Sequence, residues 1–104
     1  MIRTYAGKQV EVNEEGYLLN SQSWDESIAA AIAAEEGISS LSPNHWKIIY
    51  FMRQIYAQRG DGPSIRQLTR ESGVDTKQLY QLFPKGPAKK AARVAGIPKP
   101  HGCI

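Results

Sequence analysis

Ser42-Pro43-Asn44-His45-Trp46-Lys47-Ile48-Ile49-Tyr50-Phe51-Met52-Arg53-Gln54-Ile55-Tyr56-Ala57-Gln58-Arg59-Gly60 is the stretch that decides the fold. Serine followed by proline is a helix start: the hydroxyl accepts an orphan N–H, and proline loses nothing at the first helical position. Glycine at 60 is a stop, because it tolerates the left-handed cap. Between them Trp46, Ile49, Met52 and Tyr56 make one apolar stripe, and Ile48, Phe51 and Ile55 a second beside it. An apolar arc this wide predicts the central helix of a helical domain.

Helical signals continue on both sides. Upstream, Ser23-Trp24-Asp25-Glu26 reads as a capping box for a helix that runs to about Glu36 and stops at Gly37, with Ile28 and Ile32 facing the core. Downstream, Ser64 caps a short helix to Ser72, Gly73-Val74 turns the chain, and Asp75 caps a fourth helix from Thr76 to about Phe83. Pro84, Gly86 and Pro87 break the pattern before a last short helix, about Ala88 to Val94, ending near Gly96. The N-terminus reads as a small β-hairpin: Gln9-Val10-Glu11-Val12 alternates, Asn13-Glu14-Glu15-Gly16 turns, and Tyr17-Leu18-Leu19 returns. The fold class expected is mainly α (α+β). Residues 1–96 form one domain, and residues 97–104 form a mobile C-terminal arm.

Composition sets bounds. A chain of 104 residues, 41% hydrophobic and 22% charged, supports one small core. No apolar run approaches the length of a membrane span, and the first residues lack the apolar region of a signal peptide. Cys103 is the only cysteine, so no internal disulfide can form; a free thiol without an export signal fits the reducing cytoplasm. Net charge is +3, with acidic residues gathered early and Lys85, Lys89, Lys90, Arg93 and Lys99 late. Such a basic third suits an anionic partner or a plain solvated surface.

The chemistry concentrates at the end of the chain, Ile97-Pro98-Lys99-Pro100-His101-Gly102-Cys103-Ile104. A near-terminal thiol on a thin arm can enter a narrow protected pocket that a two-stranded loop cannot. Pro98 and Pro100 lower the entropy lost on docking, and Gly102 leaves the thiol uncrowded. Lys89, Lys90, Arg93 and Lys99 are candidates to favour a thiolate or persulfide anion. These features suit a sulfur carrier in which Cys103 accepts sulfane sulfur and passes it on. The opposing reading is an inert cysteine in a frayed tail.

A second signal resembles a helix-turn-helix: Ile65, Leu68, Gly73, Val74, Leu79 and Leu82 space two short helices about a glycine turn, with Lys77, Gln78 and Gln81 projecting from the second. Its functional reading is a DNA-binding regulator, and its structural one a hairpin packed into a bundle. His45 reads as a local structural residue, and His101 with one cysteine makes no metal site. The chain has no Ser/His/Asp set, phosphate loop or Cys-x-x-Cys. The tryptophans and Tyr50, Tyr56 and Tyr80 read as core and core-edge residues.

Gly16-Tyr17-Leu18, Trp24, Leu41-Ser42, His45-Trp46, Leu79-Tyr80-Gln81-Leu82-Phe83-Pro84, Gly86-Pro87-Ala88-Lys89, Ala95-Gly96-Ile97-Pro98-Lys99-Pro100 and Gly102-Cys103-Ile104 resemble the TusE/DsrC family over nearly the whole chain. The resemblance implies a small helical fold with an N-terminal hairpin, and sulfur relay through Cys103 without metal or organic cofactor. It implies a TusBCD- or DsrEFH-like donor complex, and as acceptor a tRNA thiouridylase, for wobble 2-thiouridine, or sulfite reductase catalytic subunits. The DsrC branch of dissimilatory sulfur metabolism carries a second cysteine eleven residues before the terminal one. Ala92 stands there, so the resemblance is to the single-cysteine TusE branch. A role as a sulfite reductase gamma subunit is the alternative, and a DNA-binding regulator the second alternative.

Overall fold

The computed structural model describes residues 1–100. Two strands, β1 (Ile2–Tyr5) and β2 (Lys8–Glu11), precede a 3-10 turn at Ser21–Ser23 and five helices: α1 (Glu26–Glu35), α2 (Pro43–Arg59), α3 (Ile65–Ser72), α4 (Thr76–Leu82) and α5 (Pro87–Val94). The mainly helical architecture with an N-terminal hairpin is the one the sequence predicts.

Local chemistry explains each start. Ser42, Ser64 and Asp75 accept from the backbone N–H three residues on, as expected. The cap of α1 differs from expectation: Asp25, not Ser23, accepts from the Ile28 amide at 2.9 Å. A carboxylate beside the positive end of a helix outcompetes a hydroxyl two residues earlier. His45 completes a reciprocal cap on α2. Its Nδ1 accepts from the Ser42 amide at 3.0 Å and its Nε2 donates to the Leu82 carbonyl at 2.9 Å, tying α2 to the end of α4.

The hairpin turn also lies elsewhere than expected. β1 and β2 pair antiparallel, Ile2 opposite Glu11 and Tyr5 opposite Lys8, around Ala6-Gly7. Both turn residues have positive φ, 54° and 77°, the geometry whose twist matches the strands. Residues 13–16 do turn, with Asn13 Oδ1 accepting from the Glu15 and Tyr17 amides at 2.9 and 3.0 Å. The return through Tyr17-Leu18-Leu19 makes only an isolated bridge, Val12 to Leu18.

The largest departure concerns which helix is central. α2 buries Ile48, Ile49, Met52 and Ile55 on one side and leaves Tyr50 46% exposed. The short last helix α5 is the hub: it packs on α1, α2, α3 and α4. Ala88, Ala91, Ala92, Val94, Ala95 and Ile97 are all fully buried. Alanine methyls let four neighbours approach one helix closely, which bulkier residues would prevent.

Arg93 is buried with them, at 7% exposure. Its Nε donates to the Gly16 carbonyl at 3.2 Å and its Nη2 to the Tyr5 hydroxyl at 3.1 Å. It also pairs with Glu35, and with Glu36 at 3.4 Å. Tyr5 in turn donates to Glu35 at 3.2 Å, so the hairpin, α1 and α5 meet at one guanidinium.

This junction sets acid sensitivity. Burial pushes the Glu35 carboxyl up, but the Arg93 hydrogen bond and charge, with the Tyr5 hydroxyl and Arg3, outweigh it and leave Glu35 below the ordinary range. A carboxyl with a depressed folded pKa stabilises the fold above its unfolded pKa, and that contribution disappears as pH falls through the folded value. The melting temperature, followed by circular dichroism, is therefore expected to fall from about pH 5 to pH 3. Glu35→Gln should flatten that slope; an unchanged slope would show that other carboxylates govern it.

Candidate functional site

The cysteine-bearing stretch emerges from the C-terminal end of α5, and the construction of that end is the site's foundation. Gly96, at φ 72°, ends the helix. The Gly96 amide donates to the Arg93 carbonyl at 3.2 Å and the Ile97 amide to the Ala92 carbonyl at 3.1 Å, the paired bonds of a Schellman closure. Two side chains take carbonyls that remain. Trp24 Nε1 donates to the Val94 oxygen at 2.8 Å, and Arg53 Nη1 to the Ala95 oxygen at 2.8 Å. Arg53 also donates to the Ser21 oxygen at 3.2 Å and stacks 4.2 Å from the Trp24 ring centroid. Burial lowers the Arg53 pKa from its ordinary value, yet a cation is well placed at a helix C-terminus.

Beyond Gly96 the chain does not leave the body at once. Ile97 is fully buried and Pro100 is buried, while Pro98 between them is exposed. Lys99 Nζ lies 3.1 Å from Glu15 Oε2. Gly62, after α2, lies against both Ile97 and Pro100. The chain thus passes between the turn at residues 13–16 and the loop at Asp61-Gly62. His101, Gly102, Cys103 and Ile104 lie outside the described residues.

The proposed anion-stabilising set separates in space and in duty. Arg93 faces the hairpin and α1, its guanidinium occupied by Glu35, Glu36, Tyr5 and Gly16. That engagement is structural, because a buried cation is stabilised by partners that stay with it. Lys89 and Lys90 are partly exposed on α5, and neither is ion-paired among the described residues. Lys99 is held by Glu15. Among the described residues no cluster of acids, histidines or cysteines could hold a metal.

Sequence reasoning missed Trp24, Arg53, Glu15 and Gly62 as supports of the site. Only Trp24 carried a signal, as an isolated indole beside a helix start. The other three meet residues 95–100 through contacts that span 35 to 84 positions of sequence.

α3 and α4 form the expected two-helix element. Gly73 ends α3 in the left-handed conformation at φ 80°, and the Ser72 hydroxyl donates to the Leu68 carbonyl. Leu68, Val74 and Leu79 are buried, and Lys77, Gln78 and Gln81 are exposed. Tyr50 and Tyr80, read as core-edge residues, are nearly half exposed. No helix among the described residues is long and apolar enough to cross a membrane.

Comparison with known proteins places this architecture. The family model described as "DsrC like protein" matches residues 4–104. The "Sulfurtransferase TusE" of Shigella dysenteriae is 46% identical, across 96% of this chain and 97% of that one. The "Sulfite reductase, dissimilatory-type subunit gamma" of Nitratidesulfovibrio vulgaris is 44% identical, across 97% and 96%. The NMR structure of Allochromatium vinosum DsrC superposes with a TM-score of 0.84 at 41% identity, each chain covered in full.

Proposed function

This chain belongs to the DsrC-like family, and from that premise we propose that it is a sulfur carrier whose Cys103 transports sulfane sulfur between proteins. The observation that supports this most is the root of the terminal stretch. A Schellman closure, Trp24 and Arg53 fix the end of α5 to the folded body, seven residues before the only thiol in the chain. A carrier needs that division: a body that partners recognise, and a thiol placed beyond it.

The chemistry is thiol–persulfide exchange. The Cys103 thiolate attacks the outer sulfur of a donor persulfide; a new S–S bond forms, the donor's S–S bond breaks, and the donor leaves as its thiolate. No electrons enter or leave the pair. The second exchange delivers the sulfur and returns Cys103 to the thiolate. Lys99 belongs to this stretch, and Lys89 and Lys90 are partly exposed on α5; their positive charge favours the anionic forms when the thiol is near.

The favoured direction is towards tRNA 2-thiouridine synthesis in the cytoplasm, with a TusBCD- or DsrEFH-like donor and a tRNA thiouridylase as acceptor. Ala92 supports a one-thiol relay: its methyl is fully buried in the centre of the core, and the sequence holds no second cysteine to close a ring with Cys103. Association with sulfite reductase catalytic subunits is the second reading. It is favoured by the near-equal identity to the gamma subunit of Nitratidesulfovibrio vulgaris, and co-purification with a sirohaem protein would select it.

The test is mass spectrometry after incubation with glutathione persulfide. Wild type should gain the mass of one sulfur on the tryptic fragment of residues 94–104, since Lys99-Pro100 resists trypsin, and Cys103→Ser should stay bare. Failure to load from both glutathione persulfide and a protein persulfide would reject the carrier role.

A further inference from the structure

Gly62 differs from most glycines of this chain in the reason for being glycine. The glycines at 7, 16, 37, 60, 73, 86 and 96 have positive φ, whereas Gly62 has a backbone that any residue adopts. What it lacks is room. A Cβ there would lie 3.1 Å from Ile97 Cδ1 and 3.1 Å from Pro100 Cγ. Its bare backbone is a shelf on which both side chains rest. Asp61 Oδ1 accepts from the Gly62 amide at 2.9 Å, and buried Pro63 follows, so the shelf is itself fixed. On the other side Glu15 holds Lys99 at 3.1 Å.

We propose that the Gly62 shelf and Glu15 form a seat for residues 97–100, and that leaving this seat is the step that gives Cys103 its full reach. The functional half of this inference rests on the carrier reading; the seat itself does not. With Pro100 seated, three residues separate the anchor from Cys103, a span of at most about 11 Å. With release back to Ile97, six residues separate them and the span doubles to about 21 Å. The seat is weak enough to switch. Its ion pair is exposed on both partners, and such pairs shift an equilibrium by only about twofold to fivefold. A partner that binds the released form better therefore shifts the population with modest binding energy.

NMR relaxation of the full 15N-labelled chain tests the seat directly. In wild type the heteronuclear NOE of the Lys99 amide should match that of the helical body. Glu15→Lys should lower it, the double exchange Glu15→Lys with Lys99→Glu should restore it, and Gly62→Val should lower it further. The charge variants are surface changes, so they keep the fold if Gly62→Val does not. A wild-type Lys99 value well below that of the helical body, or no recovery in the double exchange, would overturn the seat. Sulfur transfer to a protein acceptor at subsaturating concentration should rise about twofold to fivefold in Glu15→Lys, while alkylation of Cys103 by iodoacetamide stays constant. Unchanged transfer in a released variant would overturn the link to reach. A seated arm on a protein that never loads sulfur would leave the seat standing and remove the carrier reading.

Discussion

Gly96→Ala is expected to lower the melting temperature by at least about 8 °C, the largest stability loss of any single methyl added to this chain. Two effects combine. Gly96 sits at φ 72°, where a Cβ crowds the backbone at a cost of about 1–2 kcal/mol. The new methyl would also lie 2.4 Å from Trp24 Cδ1 and 2.8 Å from Trp24 Cβ. The indole cannot swing aside cheaply, because its Nε1 holds the Val94 carbonyl and its face holds Arg53. Overpacking of this kind adds about 1–3 kcal/mol, for a total of about 2–5 kcal/mol. Thermal unfolding by circular dichroism decides the matter: a loss under about 4 °C would mean that Trp24 does not pack over Gly96.

Arg93→Met is expected to cost about 2–4 kcal/mol, and Arg93→Lys roughly half of that. Methionine keeps much of the volume but leaves the Gly16 carbonyl without its donor and Glu35 without its nearest cation. Glu35 is 42% exposed in its side chain and can regain water, which keeps the cost below that of a fully enclosed pair. Lysine restores the charge but lacks the fork that serves Gly16, Tyr5 and two carboxylates together. Urea unfolding of the three proteins measures this order. Equal stability of the lysine and arginine forms would show that charge alone, without geometry, carries the junction.

The parts legible in the sequence were those written in local chemistry. Ser42-Pro43, Ser64 and Asp75 mark helix starts because capping depends on three or four neighbouring residues. Ser23-Trp24-Asp25-Glu26 was ambiguous, since serine and aspartate are both good caps and only the fold selects Asp25. The turn at Ala6-Gly7 was hidden because alanine rarely takes positive φ and gives no turn signal. The helix α5 itself was legible, but its central position was hidden for another reason. Its alanines carry little hydrophobic signal, and Lys89, Lys90 and Arg93 make it look solvated, so burial against four helices does not show in its composition. Arg93 drew attention as a late basic residue; that it belongs to the hairpin's end of the molecule depends on partners 57 to 88 positions earlier. At the site, the family resemblance pointed to Cys103, whereas Gly62 and Glu15 became visible only once residues 97–100 were in place.

The position of α5 has a consequence for biosynthesis. The helix that fills the middle of the core is translated after the other four described helices, and the first strand waits 88 positions for it, from Tyr5 to Arg93. A nascent chain stalled before Pro87 holds a hairpin and four helices with no centre to gather on, so collapse must follow rather than accompany ribosomal output. Any copy that has acquired its native packing has therefore been synthesised to within a few codons of its cysteine.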